Sequence, residues 1–302
     1  MVDLSVIRFV ICFVFLSVAV VSDLKTRKVP NELWLLMAPA AVVVLVVDLY
    51  FRAVGWGYYL ILIPIGFFLF EALVERPPVV SKGRINLMVC AWLMVPIITL
   101  AYMFYSIEKT MLLWSLISIL VMMAAAFILY YFAILYGGAD AKAVVVLAVL
   151  FPFYPEIQGI THWGGDQMMI EFMEVLFPFT FVILLNAAIL ALLLPLYYIV
   201  RNLKRGEAEY PQMIFGYKIK IEEIEDSFVW PMEYYEGDKR KIKLFPRGTN
   251  DDKLKSLKKR GRERAWVSPK IPFLVFIFLG YLMSYIIGNP TLYLFDWILS
   301  LF

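Results

Sequence analysis

Seven acidic residues lie within or at the ends of strongly apolar runs of this chain: Asp23, Glu32, Asp48, Glu71, Glu75, Asp140 and Glu174. Ionisable groups are expensive to hold in lipid, and where they persist they mark functional sites. The rest of the sequence leaves carboxylates as the obvious chemistry. One histidine, His162, excludes a His-rich metal site, and two cysteines, Cys12 and Cys90, exclude a disulfide framework or a four-cysteine zinc site. The zinc-protease pattern H-E-x-x-H and the nucleophile turn G-x-S-x-G are both absent. Two aspartates brought within hydrogen-bond reach cannot both ionise easily, so they share a proton. One can then take a proton from water while the other donates to a carbonyl oxygen. That chemistry hydrolyses a peptide bond with no metal and no cofactor.

Such a pair must sit at one depth, so the elements that carry the carboxylates decide which two can meet. The chain has 302 residues, 62% of them apolar and 18% charged, and its mean hydropathy is +0.78. A soluble domain is about 45–50% apolar and about 25% charged. A soluble secreted fold, intrinsic disorder and nucleic-acid binding as the main function are therefore excluded. Runs of about 20 apolar residues cross a bilayer as helices. Eight are found, at about 4–22, 32–51, 56–74, 86–106, 111–135, 140–155, 174–200 and 271–289. The first has no basic segment before it and ends in Ser22-Asp23-Leu24-Lys25, so it reads as a retained span and not a cleaved signal.

Lys and Arg give the orientation. With both termini outside, 25 of the 28 basic residues fall in the inner segments 23–31, 75–85, 136–142 and 201–270. Asp48 and Glu174 then belong to the outer side, while Asp23, Glu32, Glu71, Glu75 and Asp140 face the cytoplasm. Residues 201–270 hold 30 of the 53 charged residues. Period-two alternation in Tyr217–Ile221 and Lys241–Leu244 predicts short strands there. Thr249-Asn250-Asp251-Asp252 resembles a capping box opening a basic helix to about Arg264. The expected fold class is an all-α polytopic membrane protein of about eight transmembrane helices with a small cytoplasmic α+β insertion before the last helix. Its domains are 1–200 (transmembrane catalytic helices), 201–270 (charged cytoplasmic domain) and 271–302 (last helix and interfacial tail).

Asp23 and Asp140 share the inner-face depth, and each lies beside a backbone break. Asp23 precedes Lys25, Arg27, Lys28 and the stop Val29-Pro30-Asn31. Asp140 follows Gly137-Gly138-Ala139, where glycine lets the backbone approach a neighbour or leave helical geometry. Lys142 faces away from Asp140 on a helix and reads as an anchor at the inner interface.

These segments resemble the type IV prepilin and archaeal preflagellin peptidases, membrane aspartic proteases of the GxGD type. Asp23-Leu24-Lys25-Thr26-Arg27-Lys28-Val29-Pro30-Asn31 is like that family's first aspartate segment, and Gly137-Gly138-Ala139-Asp140-Ala141-Lys142 is like its second. Pro269-Lys270-Ile271-Pro272-Phe273, leading to Gly280, is like the entry to its last helix. Ala139 stands where a strict Gly-x-Gly-Asp has glycine, as in archaeal-type members. The resemblance implies catalytic Asp23 and Asp140, with Gly137, Gly138, Ala139, Pro30 and Asn31 shaping the site. It implies cleavage without methyl transfer at the cytoplasmic face of the cell membrane. The implied substrate is a pilin- or archaellin-like precursor with a short basic leader followed by an apolar helix. The acidic run Glu222, Glu223, Glu225 and Asp226 is a candidate contact for that leader. The alternative reading is a proton- or cation-coupled transporter using inner-face carboxylates.

Overall fold

The computed structural model describes residues 4–74, 80–81, 84–132, 134–135, 137–161, 167–246 and 251–299. Glu75, His162, Thr249 and Asn250, singled out above, lie outside them. The chain divides into two compact units, residues 1–187 with 272–302, and residues 188–271.

Unit one begins with α1 (Leu4–Thr26) and α2 (Asn31–Phe51). A short 3-10 segment at Trp56–Ile61 runs into α3 (Leu62–Leu73). After the small hairpin β1 (Val80–Ser81) and β2 (Arg84–Ile85) come α4 (Leu87–Ser106) and α5 (Met111–Tyr131). Then follow α6 (Gly138–Leu150), α7 (Gln167–Leu176) and α8 (Phe179–Ala191). Among the described residues six helical stretches are long and apolar enough to cross a membrane: Leu4–Thr26, Asn31–Phe51, Trp56–Leu73, Leu87–Ser106, Met111–Tyr131 and Phe179–Lys204. Their surfaces suit lipid. On α1, Val10, Val14, Val18 and Val21 are exposed while Arg8, Cys12, Leu16 and Ala19 are buried, so one stripe faces outward and the other packs inward.

Two of the expected spans have a different form. The run 140–155 is only the 13-residue α6, about 20 Å long, which is less than the roughly 30 Å of a hydrocarbon core. Its residues Ala143 to Leu150 are all buried. A helix apolar on every side is one wrapped by protein, and α6 is surrounded by α1, α2, α3, α5 and α12 (Phe273–Ile286). The run 174–200 does not begin at Glu174. That residue sits on the separate helix α7, and the long apolar stretch starts at Phe179. The chain after Asn289 forms α13 (Pro290–Leu299).

Asp48 belongs to a buried ion pair: Arg8 Nη2 donates to it from α1, and Arg52 Nε reaches it at 2.9 Å. Arg52 also lies over the Phe153 ring, 3.8 Å from its centroid. Together with Glu174, whose Oε1 accepts from the Tyr154 amide at 2.7 Å, these residues line a cavity of about 1130 Å³. Arg8 precedes Asp23 on α1 by fifteen residues, about 22 Å of helix. This charged cluster therefore occupies the end of the helices remote from Asp23.

The second unit opens with α9 (Leu193–Lys204) and the single turn α10 (Gln212–Phe215). Its sheet is antiparallel, ordered β3 (Tyr217–Lys220), β7 (Arg264–Pro269), β4 (Val229–Pro231). A hairpin of β5 (Glu233–Glu236) and β6 (Lys239–Ile242) and the helix α11 (Asp251–Lys259) complete it. Of the first alternating segment Tyr217–Lys220 is a strand, and of the second only Lys241 and Ile242, in a different sheet. The basic helix stops at Lys259 instead of about Arg264, because Arg264 already begins β7. Beneath the sheet, Glu233 accepts from the Trp266 amide at 2.9 Å and pairs with Arg240. Arg240 also holds Glu209. Burial works against the charged form of Glu209. Hydrogen bonds from Arg240 and Trp266, with the charges of Arg240 and Lys218, outweigh it and hold the carboxyl at about 2.

Candidate active site

Asp23 lies in the last turn of α1 and is half-buried. The helix stops there because Arg27 takes a left-handed φ of 57° and its amide returns to the Asp23 carbonyl at 2.9 Å. Thr26 Oγ1 donates to Ser22 O and lies 2.9 Å from Lys28 O, while Ser22 Oγ donates to Lys28 O at 2.8 Å. These side chains satisfy the carbonyls a helix end leaves open. The extended Pro30 (ψ 141°) then turns the chain into α2, which Asn31 opens.

Asp140 occupies the third position of α6 and is 6% exposed. Gly137 precedes the helix in extended backbone, and its N–H donates to Asp140 Oδ2 at 3.1 Å. The Leu274 amide, in the first turn of α12, also lies near the Asp140 carboxylate. Helix N-termini favour negative charge, and Asp140 stands in the first turn of α6. Asp23 is near enough to act on Asp140 electrostatically.

Gly137 is required by space. A Cβ there would meet Asp140 Oδ2 at 2.7 Å and its Cγ at 3.2 Å. A short side chain can yield, but only by moving the carboxylate itself. Gly137→Ala should therefore leave the unfolding temperature nearly unchanged while lowering peptide cleavage about 10–100-fold, the effect of an ångström-scale misplacement. Equal turnover by Gly137→Ala and wild type would refute this role. Gly138 and Ala139 form the first turn of α6, with Ala139 packed against the core.

The acidic run belongs to the second unit. Glu222 and Glu223 are exposed on a 3-10 turn, Asp226 is exposed, and Glu225 is paired with Lys258 Nζ at 2.6 Å. Sequence reasoning missed two participants. The Leu274 amide carries no side-chain signal at all. Lys142, read as an anchor at the inner interface, donates from Nζ to Asn31 Oδ1 at 2.7 Å, a partner the sequence did not signal. Among the described residues no group of three or more His, Cys, Asp or Glu side chains could hold a metal ion.

Comparison with known proteins now bears on this site. The type IV leader peptidase family model matches residues 10–88, which include Asp23 and Val29-Pro30-Asn31. A second model, the archaeal peptidase A24 C-terminus type II, matches residues 208–289. The chain belongs to the type IV leader peptidase family. It is thus an aspartic-type peptidase of the prepilin and preflagellin class, and its apolar helices make it a multi-pass membrane protein. A preflagellin peptidase of Methanocaldococcus jannaschii is 28% identical over 197 residues, covering 64% of this chain and 79% of that protein. The preflagellin peptidase of Methanococcus voltae is 29% identical over 162 residues, or 52% and 65% of the two chains. That of Methanococcus maripaludis is 27% identical over 161 residues, again 52% and 65%. Asp140 falls between the two family-model segments, so its assignment rests on its own surroundings.

Proposed function

We propose that this leader peptidase removes the short basic leader from pilin- or archaellin-like precursors at the cytoplasmic membrane face, using Asp23 and Asp140 as a dyad. One observation carries the reading. A carboxylate held at 6% exposure heads a helix whose residues from Ala143 to Leu150 are all apolar and buried, and a side chain acting on it electrostatically is a second carboxylate. The names of the archaeal relatives support the substrate class.

The two carboxylates hold one proton between them. The ionised member takes a proton from water as the oxygen attacks the scissile carbonyl, and the protonated member donates to the carbonyl oxygen. Collapse of the tetrahedral intermediate breaks the C–N bond: a hydroxyl proton of the intermediate returns to the acid that donated to the carbonyl oxygen, and the proton taken from water passes to the leaving amine. The two acids are left as they began. The precursor's apolar segment lies in the bilayer against the lipid-facing helices, which sets the scissile bond at the interface beside Asp23.

Digestion of such a precursor by the full-length chain, with N-terminal sequencing of the product, tests the assignment. A precursor left whole by active, folded protein would overturn it. The orientation that goes with it has eight spans, α6 and α12 among them, and both termini outside. Reporter fusions after Gly206 should read as cytoplasmic and those after Gly159 as external. The reverse pattern would put both aspartates on the wrong side of the membrane for this substrate.

A further inference from the structure

Lys142 stands two residues beyond Asp140, and at about 100° per residue its side chain leaves α6 from nearly the opposite side. Its Nζ meets Asn31, a residue 111 positions away, across 2.7 Å. Asn31 is engaged at both ends. Its Oδ1 accepts from Lys142, and its Nδ2 donates to Leu73 O at 3.0 Å. That carbonyl closes α3, where the helix offers it no partner of its own. One amide thus joins the first turn of α2, the last turn of α3 and the first turn of α6. Asn31 also ends the connection that leaves the Asp23 turn. The Lys142–Asn31 bond is therefore a direct tie between the segment following one aspartate and the helix bearing the other. On the far side of α6, Asp140 accepts from the Gly137 amide.

We propose that Lys142, acting through Asn31, is a positioning residue for peptide hydrolysis: it fixes the rotation and depth of the first turn of α6, so that Asp140 is presented to Asp23. The inference rests on the proposed dyad. It also explains why position 31 carries an amide. Aspartate there would still accept from Lys142 but could not donate to Leu73 O, and leucine would do neither.

The test uses the full-length chain in detergent with a basic-leader precursor, and reads kcat and KM per folded enzyme. Lys142→Met should lower kcat about 10–100-fold with KM little changed, as expected when a reacting group is displaced by about an ångström. Lys142→Arg, which keeps a cationic donor, should recover most of that loss. Asn31→Ala should lose about as much as Lys142→Met. The double variant should be no worse than the poorer single one, because both remove the same contact. If Lys142→Met does not accumulate, Lys142→Gln and Asn31→Ala carry the same comparison. Wild-type kcat in Lys142→Met, a change confined to KM, failure of the Arg variant to recover, or losses that multiply in the double variant would each overturn the proposal. Cleavage by Asp23→Asn or Asp140→Asn would remove the dyad itself. Inactive aspartate variants beside a fully active Lys142→Met would remove only the positioning role.

Discussion

Asp23→Asn and Asp140→Asn should each reduce precursor cleavage by about 10³-fold or more, and the double variant should lose little beyond either one. The dyad acts as a unit, because neither carboxylate can both accept the proton from water and donate to the carbonyl at the same moment. Asparagine keeps the size and an acceptor oxygen, so the Gly137 amide still has a partner at position 140. Neutralising a buried carboxylate also removes a desolvation cost. The variants should accordingly insert and fold as well as the wild type, and the lost turnover is chemical. Glu71→Gln is the suitable control, since Glu71 accepts from Trp92 on an exposed surface of α3. Asp48→Asn is a poor one, because it would leave Arg8, 4% exposed, without its counter-charge. Substantial turnover by Asp140→Asn, or equal loss from Glu71→Gln, would remove the aspartic mechanism and favour a carboxylate site for ion or proton transport.

Gly280→Leu should cost the fold itself. A Cβ at position 280 would lie 2.6 Å from Ala187 N and Ile183 O, and 2.9 Å from Ala187 Cα. All three are backbone atoms of α8, which cannot turn aside as a flexible side chain would. α12 and α8 would have to separate. That would stretch the buried bond from Asn186 Nδ2 to Ser284 Oγ, now 2.8 Å, and open the Phe179–Tyr285 ring contact at 5.4 Å. Forcing bulk into such a contact costs about 3 kcal/mol. For a unit of this size the corresponding drop in unfolding midpoint is about 6–12 °C. Cleavage should fall as well, because the first turn of the same helix, at Leu274, lies near Asp140. Thermal unfolding of the purified protein in detergent measures the first effect. A midpoint equal to the wild type would mean that the two helices do not pack through this glycine.

The sequence by itself determined the chemistry and the class of scaffold. Its apolar runs required helices in lipid, and one histidine and two cysteines left carboxylates as the reactive groups. Val29-Pro30-Asn31 and Gly137-Gly138-Ala139 marked the two backbone breaks beside Asp23 and Asp140. These signals are local: hydropathy, turn-forming residues and motif spacing act within a few residues of the chain. What the fold decided was non-local. A run of apolar residues reads the same whether lipid or protein surrounds it, so only packing could wrap the short helix α6 in protein. An acidic residue near a helix end likewise reads the same whatever lies across from it. Only the fold assigned Asp48 to an ion pair with Arg8, 40 positions away, and set Asp140 against the amide opening α12. The tie from Lys142 to Asn31 spans 111 positions, and helical spacing around Lys142 pointed only to where the lysine does not face. Side-chain partners across such separations depend on how helices cross, which three-dimensional packing fixes and no local pattern encodes.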